Sequence, residues 1–395
     1  MAQEKREAVV FGSGSWLKRL VPGMKQFGIE PVAVVGNSPV EVGQERIEGY
    51  GLRGASYINH SQLVGRRLNS GTVAMVISRP AEHGGDAVIA AGAGVEAVLI
   101  EKPVALTQIE ARQVQAALGE KGVRLVASDH YLHKAKPLWW AAGMEADREY
   151  LGVRRSSLVD LEAMWGSLSA IGRITGVEAR LIEGGGDPQG LVGHRSWLTD
   201  SKQGGVLYDT AIHLYAIGAK LGLMGEVRVR EVEAEVVDPQ SGLWRAVSQF
   251  GGDPQAELLA RVVFETDQGV KMEFVVGKVG RTRPELVTRV NKGIVICGER
   301  GKAEVNLTGP RGQVDVEVYR GRKKEKRGVI LAGIDAYSLV SREFVRAVKG
   351  QGGDGNVAVA IRAVELVEMT REIYNQTREP TLVAGAKLHS LPVAA

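Results

Sequence analysis

Short apolar runs punctuate the first third of the chain, at Val9–Phe11, Pro31–Val35, Ala55–Ile58, Val73–Ile77, Ala97–Ile100 and Arg124–Ser128. Near-continuous stretches of this kind suit strands buried on both faces of a parallel sheet. Helical patterns fall between most of them, notably at Ala87–Gly92 and Leu106–Gly119. Strands alternating with crossover helices predict an α/β domain over residues 1–128 with a doubly wound parallel sheet. Ligands of such sheets gather beyond the carboxyl ends of the strands, here the ends that carry Gly12, Asn37, Ser78 and Glu101.

The pattern changes after Ser128. A helix is expected around Ala135–Asp147 and a flexible loop at Gly184–Gly190. Long strand-like segments follow at Val227–Val237, Leu258–Phe264, Val270–Val276, Gly293–Cys297, Ala303–Leu307 and Val314–Tyr319. In the first of these, Val227, Val229 and Val232 are separated by Arg228, Arg230 and Glu231. That alternation is expected of an antiparallel sheet with one face toward solvent or a partner. Helices close the chain at Ala336–Lys349 and Val357–Thr377. Residues 129–395 therefore read as an α+β domain with a large, mostly antiparallel sheet. The basic run Arg320–Arg327 lies between two strands and reads as a solvated hairpin tip.

Composition narrows the classes. A chain of 395 residues can fill two cores, and 44% hydrophobic with 24% charged residues is ordinary for a globular protein. A net charge of +4 is no nucleic-acid-binding stripe, and no apolar run is long enough to span a bilayer. Met1–Glu7 mixes acids and bases, unlike a signal peptide. The single cysteine, Cys297, ends an apolar run and is expected to be a buried small hydrophobe with no disulfide. These features predict a soluble cytoplasmic protein that binds neither nucleic acid nor membrane.

Candidate chemistry begins at the first strand. It runs into Gly12-Ser13-Gly14-Ser15-Trp16, and a helical pattern starts at Leu17. Glycines in a strand–turn–helix context allow a tight turn and close approach of a pyrophosphate to a helix N-terminus, as in a Rossmann domain. The third glycine of the usual fingerprint is missing, with Trp16 or Leu17 in its place. The second strand ends in Gly36-Asn37-Ser38, with no carboxylate to chelate ribose hydroxyls and Arg46 the nearest arginine. That lifts a barrier to a 2′-phosphate and favours NADP over NAD. Ser78 and Arg79 follow the fourth strand, and Glu101-Lys102-Pro103 follows the fifth, where proline restrains the backbone around the lysine. Downstream lie Asp129-His130-Tyr131-Leu132-His133-Lys134 and a Gly204-Gly205 pair before Asp209 and His213, which at a spacing of four share one helix face.

In order and spacing these motifs resemble the Gfo/Idh/MocA oxidoreductases, the glucose-fructose oxidoreductase and inositol dehydrogenase group. The likeness rests on Gly12–Gly14, the EKP at 101–103, Trp197 with Asp200, Gly204-Gly205, the Asp209/His213 helix, and the closing segments Phe344–Lys349 and Ala360–Arg378. The 129–134 segment departs from the group and is similar to the DHYLGK signature of glucose-6-phosphate dehydrogenases, with His133 in place of the glycine. In those enzymes the aspartate orients a catalytic histidine, and the His and Lys contact the sugar phosphate. Both groups share the fold, so the motif leaves a phosphorylated substrate open without requiring one.

The resemblance implies hydride transfer between NADP (or NAD) and a secondary alcohol or ketone of a sugar, sugar derivative or cyclitol. His213 would serve as general base, Asp209 or Asp129 would fix its tautomer, and Lys102 would stabilise the developing charge and relay the proton. Gly12, Ser13, Gly14, Ser15, Trp16, Asn37, Ser38, Ser78, Arg79, Glu101 and Lys102 would contact the cofactor. His130, Tyr131, Lys134, Trp197 and Asp209 would contact the small-molecule substrate. No metal-ligand spacing is present. The resemblance also implies a homodimer or homotetramer built on the second sheet. Two alternatives stay open: a dinucleotide-binding sensor or co-regulator without turnover, and a dehydrogenase of a sugar phosphate or a non-sugar carbonyl.

Overall fold

Val9, Val10 and Phe11 have no exposed surface, which places the first strand at the centre of its sheet. The computed structural model describes residues 5–135, 171–183, 200, 204–236, 256–278, 292–307, 313–321, 323–331, 335–351 and 356–377. Trp197, the Gly184–Gly190 loop and all but Ala135 of the expected Ala135–Asp147 helix lie outside these residues.

The first sheet forms from β1 (Arg6–Phe11), β2 (Ile29–Val35), β3 (Ser56–Ile58), β4 (Val73–Val76), β5 (Ala97–Glu101) and β6 (Arg124–Ser128). All pairings are parallel, in the order β3-β2-β1-β4-β5-β6. This is a Rossmann-type order, and the switch point between β1 and β4 opens the ligand crevice. The helices between are α1 (Ser15–Gln26), α2 (Val40–Gly49), α3 (His60–Leu63), α4 (His83–Gly92) and α5 (Gln108–Glu120), and α6 (His130–Lys134) follows β6.

The second sheet has eight described strands: β7 (Ile174–Ile182), β8 (Val227–Val236), β9 (Glu257–Thr266), β10 (Lys271–Gly277), β11 (Lys292–Gly298), β12 (Gly301–Asn306), β13 (Gln313–Arg320) and β14 (Lys323–Leu331). Their order is β14-β13-β12-β11-β7-β10-β9-β8, antiparallel except where β7 pairs with β10. One face, with Val177, Leu181, Val262, Phe264, Phe274 and Ile294, packs against α7 (Ile212–Lys220) and α9 (Val357–Thr377). The opposite face carries ion pairs, Arg261 reaching Glu231 at 2.9 Å and Glu273 at 3.0 Å.

The closing helices join the two sheets. Val340 and Phe344 of α8 (Ala336–Val348) sit in the core around α1 and β1. Ile361 of α9 enters the other core of the parallel sheet, while Val364 and Val367 enter the core of the second sheet.

Three expectations need correction. Strand β7 departs from the expected set, because it interleaves Gly176, Glu178 and Arg180 with its apolar residues, and the strand expected after the basic run, β14, opens inside that run. That run is therefore mostly edge strand, Lys326 lying opposite Val318 and Arg327 opposite Glu317, with the turn at Gly321. A row of lysines suits an edge because it discourages pairing with another chain. Cys297 is only half-buried, since it points to the charged face near Glu178, Lys302 and Glu304.

Candidate active site

A cavity of about 730 Å³ runs from the glycine turn after β1 to the near edge of the second sheet. At its outer end, Gly12 has φ +103°, and a Cβ there would lie 2.7 Å from the Ile77 carbonyl oxygen. The turn thus admits only glycine on both conformational and steric grounds. Gly14 caps α1 and has open space where a side chain would stand. The Leu17 N–H bonds the Gly14 carbonyl at 3.1 Å, which leaves the Ser15 and Trp16 N–H groups at the start of α1 to suit a pyrophosphate. Past β2, the Arg46 guanidinium donates to the hydroxyls of Ser13 at 3.2 Å and Ser38 at 3.4 Å. This end therefore fits a dinucleotide.

The loops after β4 and β5 are tied together. Buried His83 lies with Nδ1 2.6 Å from the Pro103 carbonyl and Nε2 3.1 Å from that of Ser78. The Ser78 hydroxyl donates to Asp86 at 2.5 Å. Lys102 leaves this braced loop, which has a cis peptide bond to Pro103, and its Nζ donates to the Asp209 carbonyl at 2.6 Å and to Asp209 Oδ1 at 2.8 Å. Burial works against the Lys102 charge, but the attraction of Asp209 and Glu101 outweighs it and raises its proton affinity. Lys102 is thus an ammonium donor. Burial pushes the Glu101 carboxyl well above the usual carboxylate range, and the Lys102 charge only partly offsets this.

Asp129 caps α6, Oδ1 accepting from the amides of Tyr131 at 2.8 Å and Leu132 at 3.3 Å. The same oxygen lies 2.7 Å from His213 Nδ1. Burial alone would raise its proton affinity, yet His213 holds Asp129 well below the usual carboxylate range. An ionised acceptor assigns the proton to Nδ1, and burial lowers the proton affinity of His213, so the ring is neutral with Nε2 as a base. Asp129, His130 and His213 offer ligand atoms within 4.8 Å of one another. The 2.7 Å bond commits Nδ1 and Oδ1 to each other rather than to a cation.

Residues 7–130 match the model of the Gfo/Idh/MocA oxidoreductase family, NAD-binding Rossmann fold. No curated protein matches the chain by sequence. Among solved structures, the chain is similar to KijD10, a 3-ketoreductase from Actinomadura kijaniata in complex with NADP and TDP-benzene, at 16% identity and TM-score 0.67, over 93% of this chain and 98% of that one. It is also similar to GenD2 from gentamicin A biosynthesis in complex with NAD, at 20% identity and TM-score 0.66, over 96% and 97%. A third is an oxidoreductase of Erwinia carotovora atroseptica SCRI1043, at 15% identity and TM-score 0.62, over 93% and 98%. At these identities the likeness shows the fold.

In this cavity the sequence-chosen residues converge. Gly12, Ser13, Gly14, Ser15, Trp16, Asn37, Ser38, Ser78, Arg79, Glu101 and Lys102 all line the cavity, as do His130, Tyr131, Lys134, Asp209 and His213. Asp129 stands behind His213. Asp209 and His213 both face the cavity, but they take different partners. Asp209 lies in a π turn, Leu207–Ala211, and His213 in the first turn of α7. Asp129, rather than Asp209, sits on His213 Nδ1.

Other lining residues escaped the sequence reading: Glu183, Lys278, Lys292 and Tyr337, while Arg46 was noted only as the nearest arginine. Tyr337 stacks on His130 with ring centroids 5.3 Å apart. Lys278 had a usable signal, because Phe274-Val275-Val276-Gly277-Lys278 repeats the pattern of an apolar strand ending on lysine that marked Lys102. Glu183 had none, since its strand went unnoticed.

Proposed function

We propose that the protein is an NAD(P)-dependent dehydrogenase or reductase acting on a secondary alcohol or ketone of a sugar, sugar derivative or cyclitol. What carries this reading is the meeting of Lys102 and Asp209 with Asp129 and His213 in the cavity that starts at a dinucleotide-type turn. The cofactor, when bound, supplies the hydride acceptor or donor. Neutral His213, its Nδ1–H held by Asp129, takes the hydroxyl proton at Nε2. The Lys102 ammonium stabilises negative charge on the substrate oxygen. KijD10 and GenD2 support a sugar-type substrate, one by its 3-ketoreductase activity and the other by its place in gentamicin A biosynthesis.

NADP is the favoured cofactor. Arg46 is held by hydroxyls rather than by a carboxylate, at a strand end where Asn37 replaces the usual acid, so its charge is available to a 2′-phosphate. The charged face of the second sheet supports assembly into a homodimer or homotetramer, which light scattering would read as a mass above the monomer. No described helix is long and apolar enough to cross a membrane. The deciding experiment is a screen of NADP and NAD against sugars, sugar phosphates and inositols. Turnover by the wild type and its loss in Lys102→Ala and His213→Ala support the reading, and turnover retained by either variant removes that residue's role.

A further inference from the structure

Lys278 stands just past the end of β10, nearly without exposed surface, yet it lines the cavity. Its Nζ lies 2.8 Å from Asp209 Oδ2 and also contacts the Glu183 carboxylate. Asp209 Oδ1 takes Lys102 at 2.8 Å. On the far side, Glu183 Oε1 accepts from Lys292 at 2.9 Å and from the Tyr131 hydroxyl at 2.7 Å. Charges therefore alternate without a break along Lys102, Asp209, Lys278, Glu183 and Lys292.

Stability is a poor explanation for this chain. Buried ion pairs suffer desolvation, and apolar side chains of similar volume usually hold a fold as well or better. Geometry gives a better one. A carboxylate on a π turn can rotate about its side-chain bonds, and a cation on one oxygen restrains that rotation less than cations on both. Two ammonium groups on opposite oxygens fix it. Lys278 is in turn held by Glu183, which roots the arrangement in β7 and the second sheet.

We propose that Lys278 is a positioning residue: by occupying the second oxygen of Asp209 it locks that carboxylate, and with it Lys102, in the geometry the reaction uses. The inference rests on the role given to Lys102 above. The second sheet then reaches the reacting centre through Lys278 and Asp209, beyond its part in forming the cavity wall.

The test uses full-length protein labelled with 15N-lysine, with the Lys102 Nζ signal identified by its loss in Lys102→Ala. An ammonium held on two acceptors gives a slowly exchanging signal near neutral pH, and its absence from the wild type would overturn the geometry. In Lys278→Met the signal should move and exchange at least several-fold faster, while Lys278→Arg, which keeps a cation on Asp209, should restore it. With the substrate found in the screen, Lys278→Met should lower kcat about tenfold or more, leave KM and NADP affinity within about twofold, and recover in part in Lys278→Arg. A purely structural role predicts a lower melting temperature with an unchanged Lys102 signal and unchanged kcat per folded molecule, and that result refutes the inference. If Lys102→Ala abolishes turnover while Lys278→Met retains it, this inference alone fails. If Lys102→Ala turns over normally, the reading of Lys102 fails first.

Discussion

The two ends of the cavity are built on different principles. The outer end is mostly backbone and hydroxyls: Gly12, Gly14, Ser13 and Ser38 line it, and Arg46 rests on the two serines with no carboxylate partner among the described residues. At the inner end, Lys102 and Lys278 each meet an acid, Asp129 meets His213, and the contacts measure 2.7–2.8 Å where Asp129 and Asp209 are involved. An open cation and unspent amides keep their binding capacity for an incoming anion. Paired charges have surrendered theirs, and hold each other in fixed orientation. The difference separates binding from reaction, so variants at the two ends should fail in different ways.

The largest effects are expected at the inner end. Lys102→Ala and His213→Ala should each lower turnover by a factor on the order of 10² or more while NADP affinity hardly changes. Steady-state rates and a fluorescence titration on one preparation check both halves. Comparable losses of binding would erase the contrast between the ends.

Glycine variants probe the outer end. Gly14→Val projects a side chain into open space, so cofactor affinity should drop at least about tenfold with little change in melting temperature. Gly12→Ala meets the Ile77 carbonyl and a left-handed backbone, and should also cost about 1–3 kcal/mol of stability. Calorimetric titration beside thermal melts distinguishes the two. Equal behaviour of the variants would show that the turn is not what shapes the site.

Arg46→Ala should weaken NADP about tenfold, as expected for one charge-assisted hydrogen bond, and leave NAD affinity unchanged. Equal losses for both cofactors would move the 2′-phosphate elsewhere.

A further effect, on stability rather than on activity, concerns pH. Burial lowers the proton affinities of His83, His130 and His213 below the ordinary value of 6.5, so the unfolded chain takes up protons that the folded one refuses. Stability is complete above about pH 6.5 and is lost as pH falls below it, by up to about 1.4 kcal/mol per pH unit for each histidine. Melting temperatures between pH 7.5 and 5.5 should drop, and His130→Phe should flatten the slope. A flat profile in the wild type would mean that these rings are solvated.

What the chain determined by itself is whatever depends on neighbours in sequence. Apolar runs of the right length placed β1 to β6, because a strand buried on both faces tolerates little else. The glycine turn and the EKP loop were legible for the same reason, each being a strand end with its own local punctuation. Tertiary structure decided the rest. Asp129 and His213 are 84 positions apart, and Lys102 and Asp209 are 107 apart, so no local pattern could say which acid meets which base. Helical spacing put Asp209 and His213 near one face, yet it could not say that Asp209 would take Lys102 while His213 took Asp129. Glu183 and Lys278 reached the cavity only because β7 pairs in parallel with β10, aligning Ile182 with Gly277 at the strand ends that precede them. Periodicity records whether a position is buried. Which buried charge finds which partner depends on how the sheets and the closing helices pack, and that is a property of the whole fold.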